Sequence, residues 1–209
     1  SHQWSSIIRA RSSGWRAVKP RIVRYSIEMK SKPLIIVGAL AAIAVIAGVF
    51  VIALNLVAQQ GARPAVGSPA PDFTLKLYPG YRAGLPEEIR LSDLRGNVVV
   101  MNFWASWCVE CYKEADALEA VYRKYKDRGV IFLGIDYLDT EAPALAYLQQ
   151  YNITYPNGID LQQQIARAYR ITGVPETFFI DRDGIVRDVV IAPLTEAQLS
   201  ARIDKMLGD

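Results

Sequence analysis

Residues 97–111 read NVVVMNFWASWCVEC and include both cysteines of the chain, Cys108 and Cys111. The first eight letters form a mostly apolar, β-branched run, which is typical of a central strand buried on both faces. Residues 109–127 have helix-favouring composition and stop at Gly129. The stretch therefore predicts a buried strand, a Cys-x-x-Cys turn and a helix.

The two cysteines fit a redox pair better than a metal site or a structural staple. A structural zinc site needs four ligands, and the single histidine, His2, lies on the far side of an apolar segment from the cysteines. A disulfide across two residues closes a very small loop and stabilises little. At a helix start, backbone N–H groups and the helix dipole would favour the Cys108 thiolate, and Cys111 could resolve a mixed disulfide. We expect a redox-active disulfide and no metal or other cofactor.

The chain after residue 71 predicts a single α/β domain with a sheet of mixed direction. Strands and helices alternate, and DRDG at 181–184 indicates a hairpin turn between the last two strands. Thr195 is the expected N-cap of the final helix. The predicted strands are 73–78, 97–104, 130–136, 176–181 and 185–191, and the predicted helices are 109–127, 141–151, 161–170 and 195–207.

Residues 33–57 form an almost wholly apolar run, PLIIVGALAAIAVIAGVFVIALNLV. As a helix it would reach about 37 Å, enough to cross a hydrocarbon core of about 30 Å. A buried core helix would need a polar face, and a cleaved signal peptide would have a shorter apolar region and a small-residue cleavage site. We therefore expect an uncleaved transmembrane signal anchor.

The charges flanking this run indicate its orientation. Residues 1–32 contain eight Lys/Arg and one acid, Glu28, whereas the chain after residue 57 is net acidic, and the whole chain carries +3. Because Lys/Arg-rich flanks stay in the cytoplasm, the C-terminal domain should lie outside. The excess of basic residues thus reflects the orientation of the anchor in the membrane, and we expect no nucleic-acid binding. MKSKP, starting at Met29, would make a complete signal-anchor beginning, so residues 1–28 are interpreted as an upstream extension.

These observations divide the chain into four parts. We expect a basic cytoplasmic segment at 1–32, a transmembrane anchor at 33–57, a Pro/Gly/Ala-rich linker at 58–70 and a globular domain at 71–209.

NFWASWCVEC at 102–111, followed by GVPETFFIDRDGIV at 173–186, resembles the thioredoxin superfamily. Over residues 66–209 the chain is most similar to membrane-anchored, extracytoplasmic thiol–disulfide oxidoreductases of the ResA, CcmG and TlpA type. The resemblance implies a thioredoxin fold with an added N-terminal hairpin and a central helical insertion. It also implies a bacterial cytoplasmic (inner) membrane protein with one span and a periplasmic catalytic domain.

The resemblance assigns roles to individual residues. Cys108 would be the nucleophile and Cys111 the buried resolving thiol. Trp107 matches the aromatic residue before the first cysteine. Pro175 matches a cis proline that faces the pair, and Val174 would offer backbone hydrogen bonds to a substrate.

Two residues near the cysteines replace an aspartate found in ordinary thioredoxins. The thioredoxin position six residues before the first cysteine is Asn102 here, which takes no proton at neutral pH. The ResA and CcmG type has a glutamate six residues after the first cysteine, and Glu114 occupies that position. A carboxylate near thiols in a partly apolar cleft should have a raised pKa and could exchange a proton with them. The alternative is a solvated helix glutamate paired with a lysine.

Other residues near the motifs are candidates for tuning or for binding substrate. Glu110, between the cysteines, should raise the pKa of Cys108 and make the dithiol a better reductant. Glu176 and Thr177 match a PET motif of these relatives and are expected at the substrate cleft. Asp136 and Tyr137, at the end of a strand, are further cleft candidates.

The resemblance favours reduction of protein disulfides in cytochrome c maturation, with apocytochrome c as a substrate. Repeated turnover outside the membrane would require a membrane electron donor of the CcdA or DsbD kind. Two alternatives remain. A peroxiredoxin-like redoxin shares the fold and the PDFTL opening at 71–75, but the Thr-x-x-Cys pattern is missing because Ala105 stands there. A non-catalytic extracytoplasmic binding domain would not need the cysteine pair.

Overall fold

The computed structural model describes residues 32–58 and 63–208, which form two units. The first unit ends at Ala53 and contains most of helix α1, Lys32–Ala58. Within the described residues, one helical stretch, Ile36–Leu54, is long and apolar enough to cross a membrane. It coincides with the predicted anchor at 33–57. The predicted basic segment and Met29 lie almost entirely outside the described residues.

The second unit is built around a five-stranded sheet in the order β5–β4–β3–β6–β7. The central strand β3, Val98–Trp104, is buried at every position, as its apolar run predicts. It pairs in parallel with β4 and antiparallel with β6, which confirms the mixed sheet. The other strands are β4 Val130–Tyr137, β5 Asn157–Asp160, β6 Glu176–Ile180 and β7 Val186–Val190.

Helices and a small hairpin cover the two faces of this sheet. One face packs against helices α2, α3 and α5, and the cysteines belong to that core. The opposite face packs against helix α4 and the antiparallel hairpin β1–β2. These elements are β1 Thr74–Lys76, β2 Glu88–Arg90, α2 Ala115–Tyr125, α3 Glu141–Gln150, α4 Gln164–Tyr169 and α5 Glu196–Leu207.

The structure corrects the predicted start of the helix after the cysteines. Helix α2 begins at Ala115, and it is preceded by a 3-10 turn over Cys111–Lys113. Glu114, between the two, has a φ of −110°, so the regular helix cannot extend back through it. Cys108 therefore lies in a turn before the helices and does not open one.

Strand β5, Asn157–Asp160, has no counterpart in the predicted elements. Its sequence, NGID, is polar and contains a glycine, so neither composition nor alternation indicates a strand. Its parallel pairing with β4 is what defines it. At the C-terminus, the predicted N-cap is confirmed, because Thr195 Oγ1 accepts a hydrogen bond from the backbone N–H of Gln198 at 3.3 Å.

Part of the segment predicted as a linker, 58–70, packs against the domain. The backbone N–H of Gly67 donates to the carbonyl of Val186, and that of Ala70 donates to the carbonyl of Gly184. Val186 in turn donates to the carbonyl of Ser68. Residues 67–70 thus run beside the start of β7, whereas residues 59–62 lie outside the described residues.

Candidate active site

The two cysteines form a disulfide in the turn that follows β3. Cys108 is 5% exposed and Cys111 is fully buried, so Cys108 is the sulfur that a partner can reach. The backbone N–H of Cys111 donates to Cys108 Sγ at 3.0 Å. This contact is available to stabilise a thiolate on Cys108, although the helix α2 dipole begins four residues beyond Cys111.

Large apolar side chains are exposed beside the disulfide. Trp107, Val109, Tyr112 and Leu138 are each between 40% and 67% exposed. The indole N–H of Trp107 donates to the carbonyl of Leu138 at 3.1 Å, and the Tyr112 hydroxyl donates to the carbonyl of Ser106. Because their polar atoms are already bonded, these rings offer apolar surface at the edge of the dithiol.

The peptide bond between Val174 and Pro175 is cis, as the resemblance implies. Pro175 directly precedes β6, whose first residue, Glu176, pairs with Phe103 near the end of β3. The antiparallel pairing therefore brings the proline loop to the same end of β3 from which the dithiol turn departs.

Glu114 is fully buried and is held by two hydrogen bonds. The side-chain amide of Asn102 donates to Glu114 Oε1 at 2.8 Å, and the backbone N–H of Leu194 donates to Oε2 at 2.9 Å. Burial raises the pKa of Glu114 to about 7, against the lowering effect of these two donors. Its backbone N–H donates to the carbonyl of Cys111 at 3.3 Å, so residue 114 lies one turn beyond the buried cysteine.

This environment differs from the solvated glutamate that was the alternative for Glu114. The neighbouring lysine, Lys113, pairs with Glu110 at 2.5 Å on the surface. Glu110, between the cysteines, therefore has a cation directly beside it. Its predicted effect on the pKa of Cys108 is opposed by the neighbouring ammonium.

A second buried carboxylate, Asp136, lies beside the last residue of β3. Asp136 pairs in register with Trp104 and accepts a hydrogen bond from the Tyr78 hydroxyl at 2.6 Å. Burial raises the pKa of Asp136 to about 7. Because strand residues alternate between faces, its neighbour Tyr137 packs into the opposite core, away from the dithiol.

Several contacts at the site join residues far apart in sequence, and no sequence pattern indicates them. The Tyr147 hydroxyl on α3 donates to the carbonyl of Cys111 at 3.2 Å. The Asp139 carboxylate accepts from the backbone N–H of Ser106 at 2.7 Å. Both fix the backbone of the dithiol turn. Within the described residues, no group of three His, Cys, Asp or Glu side chains is placed to hold a metal ion.

A Cys-x-x-Cys disulfide after the central strand, with a cis-proline loop at the same end of the neighbouring strand, defines a thioredoxin-like thiol–disulfide oxidoreductase. Residues 66–189 match the AhpC/TSA family, and the chain belongs to that family.

Named relatives agree with this class. The thiol-disulfide oxidoreductase ResA of Geobacillus kaustophilus (strain HTA426) is 33% identical over 142 residues, covering 68% of this chain and 78% of the relative. A structure from Chlorobium tepidum assigned as the thiol:disulfide interchange protein DsbE has a TM-score of 0.62 and 30% identity, covering 69% of this chain and 99% of that chain. A Bacteroides thetaiotaomicron structure assigned as a protein disulfide isomerase has a TM-score of 0.61 and 32% identity, covering 70% of this chain and 92% of that chain.

Proposed function

We propose that this protein is a membrane-anchored, extracytoplasmic reductant of protein disulfides. The single observation that carries the chemistry is a buried carboxylate, Glu114, one turn beyond the buried cysteine of a Cys-x-x-Cys pair. The apolar helix and the charge difference between its flanks support a single span with the domain outside a bacterial cytoplasmic membrane.

In the first step the reduced Cys108 thiolate attacks a substrate disulfide. A bond forms between Cys108 Sγ and one substrate sulfur, and the other substrate sulfur leaves as a thiolate. Exposed Trp107 and the backbone of Val174, beside Pro175, would hold the substrate segment. Cys111 cannot take this role because it is fully buried.

In the second step Cys111 resolves the mixed disulfide. The Glu114 carboxylate accepts the Cys111 proton, and the Cys111 thiolate attacks Cys108 Sγ. The bond from Cys108 to the substrate breaks, the second substrate sulfur leaves as a thiolate, and Glu114 gives its proton to that thiolate, directly or through solvent. Two electrons have moved to the substrate, and Cys108 and Cys111 are joined in a disulfide.

The reducing direction is supported by weak stabilisation of the Cys108 thiolate. A strong oxidant of this class owes its potential to a stabilised reduced form. Here helix α2 starts four residues after Cys111, so its dipole contributes little to stabilising a thiolate on Cys108. The ion pair with Lys113 reduces the effect of Glu110, so the late start of the helix is the main feature that leaves the dithiol a good electron donor.

The substrate and the electron donor follow from the resemblance to the ResA, CcmG and TlpA type. We propose apocytochrome c as the substrate in cytochrome c maturation, and a membrane electron carrier of the CcdA or DsbD kind as the source of electrons. The exposed apolar side chains beside the dithiol suit a polypeptide partner more than a small polar molecule.

The proposal is tested by trapping partners on the full chain in membranes. Cys111→Ala should accumulate mixed disulfides on Cys108, because no thiol can resolve them. Cys108→Ala is the matched control and should trap nothing. Isolation of cytochrome c precursors from the trapped species would support the substrate. Reduction of hydrogen peroxide with no exchange on protein disulfides would instead favour the peroxiredoxin-like alternative.

A further inference from the structure

A partly buried ion pair joins the residue after the cis proline to a residue from the segment that follows the apolar helix. Arg63 Nη2 donates to Glu176 Oε1, and the Glu176 side chain is fully buried while that of Arg63 is partly exposed. Arg63 lies five residues after Ala58, the last residue of α1. Glu176 directly follows Pro175.

The two residues that start β6 face opposite sides of the sheet, as strand geometry requires. Thr177 faces the cysteine side, where its hydroxyl accepts a hydrogen bond from Asn102 at 2.9 Å. Glu176 faces the other side, together with Phe178. The proline loop is therefore tied to the Glu114 network on one side and to Arg63 on the other.

Glu176 also contacts the loop itself. The backbone N–H of Thr172 donates to Glu176 Oε2 at 3.3 Å, so the carboxylate bridges both ends of the loop 172–176. Burial raises the pKa of Glu176, and the Arg63 charge opposes that rise. A buried carboxylate without its cation would protonate or move toward water, and either change would loosen its bond to Thr172.

Arg63 is itself held in place. Its guanidinium lies 5.7 Å from the centre of the Phe178 ring, in cation–π geometry. Four residues later, Gly67 begins the backbone hydrogen bonds that fasten residues 67–70 to the start of β7. Arg63 thus reaches Glu176 from a fixed segment.

We propose that Arg63 is a positioning residue of the dithiol site, which holds the loop carrying Val174 and Pro175 through its ion pair with Glu176. The segment that joins the apolar helix to the domain is then part of the active-site architecture. This inference rests on the proposed function, because the loop is assigned there to substrate binding.

The test compares Arg63→Gln with the wild-type full chain in detergent, using insulin as a protein disulfide and 5,5′-dithiobis(2-nitrobenzoic acid) as a small disulfide. A misplaced binding loop should lower kcat/KM for insulin by about 10- to 100-fold, chiefly through KM. The rate with the small disulfide should stay unchanged, because that probe does not need the loop. Arg63→Lys should restore part of the loss, since it keeps the charge but not the planar fork.

Hydrogen exchange gives a readout that does not depend on catalysis. In Arg63→Gln, amides of residues 172–176 should exchange faster, while those of α5 should not, which also verifies that the domain is folded. The matched control is Arg187→Gln, which breaks the exposed ion pair with Asp181 and should change neither readout. Unchanged exchange in the loop, or unchanged insulin kinetics, would overturn the inference. A wild-type chain that reduces neither disulfide would instead refute the proposed function, and exchange would still decide the role of Arg63.

Discussion

The side-chain amide of Asn102 donates a hydrogen bond to Glu114 Oε1 at 2.8 Å. Asn102 comes from the middle of β3 and Glu114 from the turn before α2, so the bond joins the central strand to the element that follows the cysteines. The side-chain amide of Asn102 can donate to Glu114 both when the carboxyl group is ionised and when it is protonated. One residue thus orients the carboxylate and leaves the proton chemistry to Glu114.

The first prediction concerns the Glu114 proton. Above a pKa of about 7 the carboxylate is ionised and can accept the Cys111 proton, and below it the group is protonated and cannot. We expect resolution of the mixed disulfide to slow as pH falls through about 7. Glu114→Gln should lose this inflection and slow the step by roughly 100-fold, the lower end for general acid–base catalysis. Stopped-flow reduction of insulin between pH 5.5 and 8.5 measures both effects.

Asp116→Asn is the matched control, because Asp116 is exposed in the first turn of α2. It should keep the wild-type rate and inflection. A Glu114→Gln protein with an unchanged pH profile would remove Glu114 from the mechanism.

The local parts of this architecture could be predicted from sequence because they depend on neighbouring residues. The buried run of β3, the hairpin turn at 181–184 and the Thr195 cap are of this kind. The partners of Glu114 could not be predicted, since Leu194 lies 80 residues away and reaches it only through the packing of the segment before α5. The helix start was misplaced because composition alone does not reveal a break at Glu114.

A second prediction concerns the pH dependence of stability at Asp136. Burial raises the pKa of Asp136 from 3.8 to about 7, so the folded chain favours the protonated form. The contribution of Asp136 to the free energy of unfolding is fully present below pH 3.8 and is lost as pH rises through about 7. Asp136→Asn should therefore stabilise the oxidised domain at pH 8 by roughly 2–4 kcal/mol and change it little near pH 4. Urea unfolding of the full chain at the two pH values measures the difference.

Tyr78→Phe is the companion variant to Asp136→Asn, because it removes the hydroxyl that donates to Asp136 Oδ2. That variant should lose stability, most strongly at pH 8, where the carboxylate is charged. Glu114 also has a raised pKa and contributes its own pH dependence to both proteins. If the stability of Asp136→Asn changes with pH as much as that of the wild type, the raised pKa of Asp136 is contradicted.

A third prediction concerns the redox potential. We expect a value nearer the roughly −270 mV of thioredoxin than the roughly −120 mV of DsbA. Lys113 pairs with Glu110 on the surface. Lys113→Gln removes the cation that offsets the charge of Glu110, so the potential should become more negative. Glu110→Gln removes the acid, so the potential should become less negative. Exposed charges are screened, so each shift should be about 20 mV or less. Equilibration with glutathione buffers measures all three potentials, and shifts of the same sign in both variants would be inconsistent with the pair.

The last prediction concerns Gly134 in the middle of β4. A Cβ at this position would lie 1.7 Å from Asn157 Oδ1 and 2.9 Å from Trp104 Nε1. Those two atoms form a hydrogen bond of 2.9 Å that ties the end of β3 to β5. Trp104 also stacks on Tyr147, which bonds the backbone of Cys111. Gly134→Ala must therefore displace Trp104 or Asn157, and we expect a loss of roughly 2–4 kcal/mol in stability.

A double-mutant cycle separates this clash from a general cost of alanine in the strand. Asn157→Ala removes the nearest atoms, so adding it to Gly134→Ala should cost less than Asn157→Ala does alone. Gly173→Ala is the matched control, because a Cβ there meets no atom within 4 Å and the residue does not have a positive φ. Urea unfolding of the four proteins gives the coupling energy. If the two losses in stability are strictly additive, the close approach of Gly134 to Asn157 and Trp104 is not what excludes a side chain at residue 134. A favourable coupling energy would show that the hydrogen bond between Trp104 and Asn157, which supports the dithiol turn, requires glycine at that position.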